Sequence, residues 1–562
     1  MIEAGSSADG GPLIPVFDNA QNNNSLAIGS FDQFADAAGV PLVGNSELAM
    51  ALVSDDSSTA LKVVARQVTM APFSPQFEGG EHTAIGDSVV LRFSADGPPP
   101  PAPFPLQLEN GLQLTYGQIL ALGGDFYGVP DSPISDPDSP QERQARFQAC
   151  FNSLAQLPAS QQEAMTILHI MGREITAVNA ALAAGLPASS AYDQLANDLN
   201  GDWNVATGGG SFISKLYPMG RYLKLATKNW DHFGQYAVSA YEAGHALALA
   251  QAINARGIAD PQQQRAALVK AYAMNAFADH FMTDLFSAGH IRDPRKEIYM
   301  TSLEGVSANL CAKGMHDEDC KYGLRVSNDL GETWRAYGDK RYFDTVNLFN
   351  RSLVNIAAQA SADEVFNAFL TGDQPQDPIP YMALRMAPNL AQVQDYQGNP
   401  LNNFAPLFVL TDAGKVQCRS SRNDLNAHSW TSVWTAGDMA VFLHSPLYSP
   451  NQPAAFIAAP TTAPQINADV WHSNQPVPPR WVPGAQVRYC VSFTSDEFES
   501  VIGPLCAYMT LAKQFMPQVA NIPVGPAGVT GRRLYRQFSG SPIEWCGNLP
   551  DNVATTFDDI LA

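Results

Sequence analysis

His280-Phe281-Met282-Thr283-Asp284-Leu285-Phe286-Ser287-Ala288-Gly289-His290 closes a helical pattern that runs over Pro261–Phe286. On a helix, His280 and Asp284 lie one turn apart and project from the same face, as two ligands of one metal must. Gly289 is a natural stop that lets His290 swing back toward the same centre. Ala276, Phe277, Phe281, Leu285 and Phe286 are apolar, so the face carrying Asp284 is expected to be buried. A buried carboxylate needs a compensating cation, and one set between imidazoles can bridge two zinc ions. The plainer alternative is a hydrogen-bonded His280 with Asp284 paired to Arg292 or Arg295.

Outward from this stretch, Gln141–Ala155, Ser160–Ala183, Gly234–Arg256, Leu324–Phe349 and Ser361–Leu370 also carry apolar residues at helical spacing. Thr115–Leu122 reads as a short helix ending at Gly123-Gly124, with Asp125-Phe126-Tyr127 just beyond. Leu61–Val68 and Ser88–Phe93 alternate as strands do, and Gly97–Pro103 is a proline-rich link. Beyond about Pro378 the texture changes to proline, turn dipeptides and short β-branched runs. Phe408–Thr411, Met439–Leu443, Val487–Phe493 and Arg533–Phe538 read there as strands. The expected fold is mainly α: an N-terminal extension over 1–77, a helical metal-dependent catalytic domain over 78–375, and a β-rich or mixed C-terminal domain over 385–562.

A chain of 562 residues with 45% hydrophobic side chains has ample material for two or three cores. Its formal net charge of -21 disfavours phosphate backbones and anionic lipid, so no nucleic-acid partner is expected. A bound divalent cation would reverse that field locally. No apolar run reaches the length of a spanning helix. Met1–Ser7 lacks the basic and apolar regions of a signal peptide. Delivery outside the cell would then use another route, with a cytoplasmic location the alternative. The 7 cysteines form no CxxC pair, which argues against a Cys-based zinc site. Cys311 with Cys320, and Cys490 with Cys506, are candidates for local disulfides. No GxSxG elbow or phosphate-binding glycine loop is present.

His280-x3-Asp284-x5-His290 resembles the central motif of the zinc-dependent phospholipase C and S1/P1 nuclease superfamily. Trp230-Asp231-His232-Phe233 is similar to that family's His-Phe ligand position, at a comparable interval before His280. Asp125-Phe126-Tyr127 looks like its Asp-Tyr, whose aspartate is a metal ligand and general base. His82, in Glu81-His82-Thr83, corresponds to its first histidine ligand, and Met315-His316-Asp317-Glu318-Asp319 to its last histidine with an acidic partner. Flanks such as Gly124-Asp125-Phe126-Tyr127-Gly128 and Phe286-Ser287-Ala288-Gly289-His290 resemble the larger phosphatidylcholine-hydrolysing enzymes of pseudomonads and legionellae. The resemblance spans roughly residues 78–345. The family's N-terminal tryptophan ligand is expected to have no counterpart ahead of His82.

The resemblance implies two or three zinc ions held by His82, Asp125, His232, His280, Asp284, His290 and His316, with Asp317 or Asp319 as the last acid. Asp284 would bridge, and Asp125 would also act as base. It implies hydrolysis of a phospholipid phosphodiester during transient contact with a membrane surface. Phe126, Tyr127, Trp230 and Phe233 are candidates to meet a quaternary amine. The alternatives are a single-strand nuclease on the same scaffold, or a secreted non-catalytic protein with structural zinc. His245 is expected in a supporting or core role and His169 as a hydrogen-bonded core residue. Asp198-Leu199-Asn200-Gly201-Asp202 is read as a turn.

Overall fold

The computed structural model describes residues 2–3, 16–17 and 79–559, apart from 211–218, 229, 301–305, 376–380, 395–402, 423, 426, 435–456, 468–480, 496–497 and 512–516. The strands expected at Leu61–Val68 and Met439–Leu443 lie outside the described residues.

Helices dominate up to Thr371, and two of them form the centre. Gly234–Arg256 packs along Pro261–Asp284, and both are lined with Ala, so their backbones approach closely. Pro261–Asp284 is launched by Asp260, whose side chain accepts the Gln263 N–H, with Pro261 in the first turn where its missing N–H costs nothing. Tyr116–Phe126 and Leu348–Thr371 cover its other sides, and Gly79–Asp87 packs on Tyr116–Phe126. Thr115 and Gln118 close a capping box at the start of Tyr116–Phe126. Pro140–Ala155, Ala159–Ala183, Ala188–Ala206 and Val306–Tyr322 complete the helical body.

Several expectations change here. Ser88–Phe93 forms no strand; it is the irregular exit of the Gly79–Asp87 helix. Leu324–Phe349 is not a helix but the hairpin Leu324–Ser327/Thr333–Ala336, followed by the start of Leu348–Thr371. Asn328 Oδ1 accepts the N–H groups of Leu330 and Glu332, and Gly331 takes φ +88°, so turn chemistry overrides the helical spacing. Asp198–Asp202 lies within a helix rather than a turn. His169 is exposed, not a core residue. Cys311 and Cys320 are free thiols on one helix, about 13 Å apart along its axis and beyond disulfide reach. Cys490 and Cys506 are free as well.

The C-terminal part is built of small antiparallel sheets. The largest runs Met509–Thr510, Gln486–Thr494, Gly531–Phe538, Ile543–Leu549, with Cys490 opposite Tyr535. Trp481, Val487, Tyr489, Leu534 and Phe538 give it a core of its own. It also docks on the helices. Arg533 lies 3.7 Å from the Phe349 ring centroid and donates to Thr333 O, and Trp545 N–H donates to Ser352 Oγ. Among the described residues no helix is long and apolar enough to cross a membrane.

Candidate metal centre

The helix face anticipated from the 280–290 stretch is buried: His280, Asp284 and His290 are each 0% exposed. The helix ends at Asp284, two residues short of its apolar pattern, and Ala288–Ile291 forms a separate single turn that returns His290. Three further segments converge on this face. His82 comes from Gly79–Asp87, Asp125 from the end of Tyr116–Phe126, and His232 from the short 3-10 turn before Gly234–Arg256.

Gly123 and Gly124 leave helical geometry within Tyr116–Phe126, as the sequence suggests. Their role is close approach. A Cβ on Gly124 would sit 2.5 Å from His232 Cε1 and 2.5 Å from His280 Cδ2. Gly289 is confined in the same way by His316 and Cys320.

Asp284 is the hub. Its Oδ2 lies 2.7 Å from His232 Nδ1 and 3.7 Å from His280 Nε2. Its Oδ1 lies 3.5 Å from His82 Nε2 and 3.4 Å from His290 Nδ1. Asp125 Oδ2 is 4.0 Å from His280 Nε2. Potential ligand atoms fall into three groups: His82, His280 and Asp284; Asp125, His232 and His280; and His290, His316 and Asp339. His290 stands between the last group and the hub, with Nε2 3.9 Å from Asp339 Oδ2.

Asp339 was not anticipated. It follows the Thr333–Ala336 strand, inside the stretch whose spacing suggests a helix, which hid it; the Asn328–Gly331 turn is the signal that would have freed it. The acids beside His316 are engaged elsewhere. Asp317 pairs with Lys313 and with His316 Nδ1, while Asp319 accepts two bonds from Arg292 at 2.9 and 2.7 Å. Neither Asp317 nor Asp319 joins a ligand group. Glu318 between them pairs with the buried Arg419. The acidic run therefore anchors the helix that carries His316.

The electrostatics around His82, His232 and His280 fit a cation; His316 differs, raised well above the usual imidazole range despite its burial, by Cys320 and Asp339. Burial and the neighbouring histidines hold His82 and His232 well below the usual imidazole range, and burial brings His280 down to about 3. Neutral imidazole is the form that binds metal. Burial, reinforced by Asp339, pushes Asp284 well above the usual carboxylate range. Burial would raise Asp339 as well, but His316 and His290 outweigh it and hold that carboxyl low. Among the described residues, Asp284 Oδ1 and Asp339 Oδ2 have no hydrogen-bond partner, although both are buried. Asp339 Oδ2 is 3.0 Å from His316 Nε2. Carboxylate oxygens crowded by imidazole nitrogens are what ligands around an ion look like. The imidazole and carboxylate donors suit zinc or a similar divalent metal.

A recess of about 350 Å³, counting its open mouth, reaches the cluster beside Gly124 and His232. Its far wall is the loop over residues 128–134. Asp231, next to His232, fastens this loop by accepting the N–H groups of Ile134 and Ser135. Of the aromatic candidates only Tyr127 lines the recess, together with Phe281. Phe126 packs against Trp203 and Tyr222, Trp230 donates to Asp136 and meets Tyr299, and Phe233 covers His290. These three rings are spent on packing. His245 lies outside the cluster, a buried residue bonded to Asn275 and Glu364. The sequence matches no protein-family model and no curated protein.

Proposed function

We propose that the chain is a zinc-dependent phosphodiesterase of the phospholipase C type, with phosphatidylcholine its preferred substrate. The observation that carries this reading is Asp284, a fully buried carboxylate that turns each oxygen toward a different pair of histidines. A structural zinc site is closed by four ligands, whereas five histidines and three aspartates gather here beside an open recess. That surplus favours a multinuclear catalytic cluster over a structural one.

Zinc in such a cluster supplies Lewis acidity at a phosphoryl oxygen and makes a water molecule more acidic. The chain's own groups do the rest. Asp284, His82, His232 and His280 fix one part of the cluster, and His290, His316 and Asp339 the other. Asp125, next to the recess-lining Gly124, accepts the proton of the attacking water. The loop fastened by Asp231 limits access to the phosphodiester. Cleavage yields diacylglycerol and a phosphorylated head group. A zwitterionic head group suits a chain of net charge -21, and Tyr127 and Phe281 are the rings that could face its amine.

The test is metal analysis combined with parallel assays on phosphatidylcholine, phosphatidylserine and single-stranded DNA. We expect phosphatidylcholine to be cleaved fastest, activity to vanish on chelation, and zinc to restore it. Preference for DNA would move the chain to the nuclease reading. Full activity without metal, or no turnover of any of the three, would refute the proposal.

A further inference from the structure

The turn that presents Asp339 is held by a residue outside the candidate ligands. Glu81, 0% exposed and adjacent to His82, accepts the Lys340 N–H at Oε2 (3.1 Å) and the Tyr342 N–H at Oε1 (3.0 Å). Lys340 takes φ +69°, in the left-handed region that side chains disfavour. Such a conformation persists where its surroundings over-determine it, and the two bonds to Glu81 straddle this residue. On the other side, Ser287 Oγ donates to Asp339 Oδ1 at 2.6 Å, which leaves Oδ2 facing His316 and His290.

We propose that Glu81 is a positioning residue: it locks the 339–342 turn in the conformation that keeps Asp339 at the His290 and His316 group. Because Glu81 and His82 share one helix turn, one short segment then supplies a ligand to the first group and shapes the second. The inference rests on reading the His/Asp cluster as a metal centre, and is independent of the reaction that centre performs.

In Glu81→Gln one acceptor oxygen becomes an NH2 set against a backbone N–H, so one of the two anchors is lost and replaced by opposed donors. In Lys340→Gly the turn reaches positive φ without needing the anchor. The experiment measures zinc content and zinc affinity of wild type, Glu81→Gln, Lys340→Gly and the double variant by elemental analysis and titration calorimetry. Circular dichroism monitors the fold. Zinc bound by Glu81→Gln is expected to fall by about one ion per chain, or one affinity to weaken by about 10- to 100-fold, the usual scale for an outer-shell partner. Lys340→Gly should keep the wild-type content, and the double variant should recover part of the loss. Glu81→Asp, which keeps the charge but shortens the reach, serves if Glu81→Gln does not fold, with the same loss expected. Wild-type affinity in both Glu81 variants would overturn the inference, as would no recovery in the double variant. A wild type that binds no zinc would instead overturn the metal centre itself.

Discussion

Asp279 and Asp284 stand little more than one turn apart on the same helix, and both are fully buried. Asp279 accepts Tyr116 O–H at 2.6 Å and Ser361 O–H at 2.7 Å. Asn275 donates to both of those hydroxyls, and its carbonyl meets His245, whose other nitrogen meets Glu364. That network is closed: each carboxylate oxygen of Asp279 has a donor. Around Asp284 the neighbours are histidines, one oxygen has no hydrogen-bond partner among the described residues, and the imidazoles crowd one another, with His280 Nε2 3.1 Å from His232 Nδ1. Burial raises both acids, Asp279 to about 7 and Asp284 well above its ordinary range. Hydrogen bonds from Tyr116 and Ser361 moderate the first, whereas for the second the charge of His316 works against the rise. Burial and composition are shared by the hydrogen-bonded Asp279 network and the candidate metal site. The two differ in their lone pairs: both Asp279 oxygens have donors, whereas Asp284 Oδ1 has none among the described residues.

The largest expected effect breaks the two apart directly. On the proposed function, Asp284→Asn should lower zinc content and cut phosphodiesterase turnover by at least about a hundredfold, more than the loss of an outer-shell partner. Asp279→Asn should keep its zinc and most of its turnover while losing about 1–3 kcal/mol of stability, the scale of a disturbed buried hydrogen bond. Equal loss of zinc in the two folded variants would erase the distinction.

A smaller but still large effect is expected at Gly124. The Cβ of Gly124→Ala must displace His232 or His280, so zinc affinity should fall steeply while the His245 network stays intact. Titration calorimetry checks the affinity, and hydrogen exchange at Asn275 and His245 checks the network. Unchanged zinc affinity would show that the kink at Gly123-Gly124 does not serve the cluster.

The smallest effect is expected in the pH dependence of stability. The folded-state pKa of Asp279 lies near 7, above the ordinary 3.8, so the folded state binds the extra proton between those values. The stability attached to that proton is fully present below 3.8 and is lost as pH rises toward about 7. Stability of the wild type minus that of Asp279→Asn should therefore decline across this window. Denaturant unfolding at a series of pH values reads the slope, and a flat difference would mean that Asp279 is charged in the fold throughout.

The part of the candidate site over His280–His290 was legible because its residues are local. His280 and Asp284 are fixed by helical periodicity alone, and Gly289 marks where His290 returns. His82, Asp125, His232 and His316 came from motif order; His82 and His232 meet Asp284, Asp125 reaches His280, and His316 joins His290 and Asp339. The aromatic candidates show the limit of proximity along the chain. Phe126, Trp230 and Phe233 neighbour ligands in sequence, yet a side chain next to a ligand points away from it as readily as toward it. Their rings fill the packing around Trp203, Tyr299 and His290.

Short-range spacing and turn residues in the sequence were enough for the helices at Pro140–Ala155, Ala159–Ala183, Gly234–Arg256 and Pro261–Asp284, the break at Gly123-Gly124, and the strands at Phe408, Val487 and Arg533. They were not enough for the helices Gly79–Asp87, Ala188–Ala206 and Val306–Tyr322. Only the tertiary structure decided which acid completes the His316 group. On the Val306–Tyr322 helix, Asp317 and Asp319 leave the axis in directions different from His316, and Lys313 and Arg292 take them. Asp339 reaches the site from a turn beyond a hairpin, held there through Glu81 and Ser287. The physical reason is that a metal's ligands need only converge in space. Periodicity reports direction within one element, and convergence between elements is settled by how those elements pack.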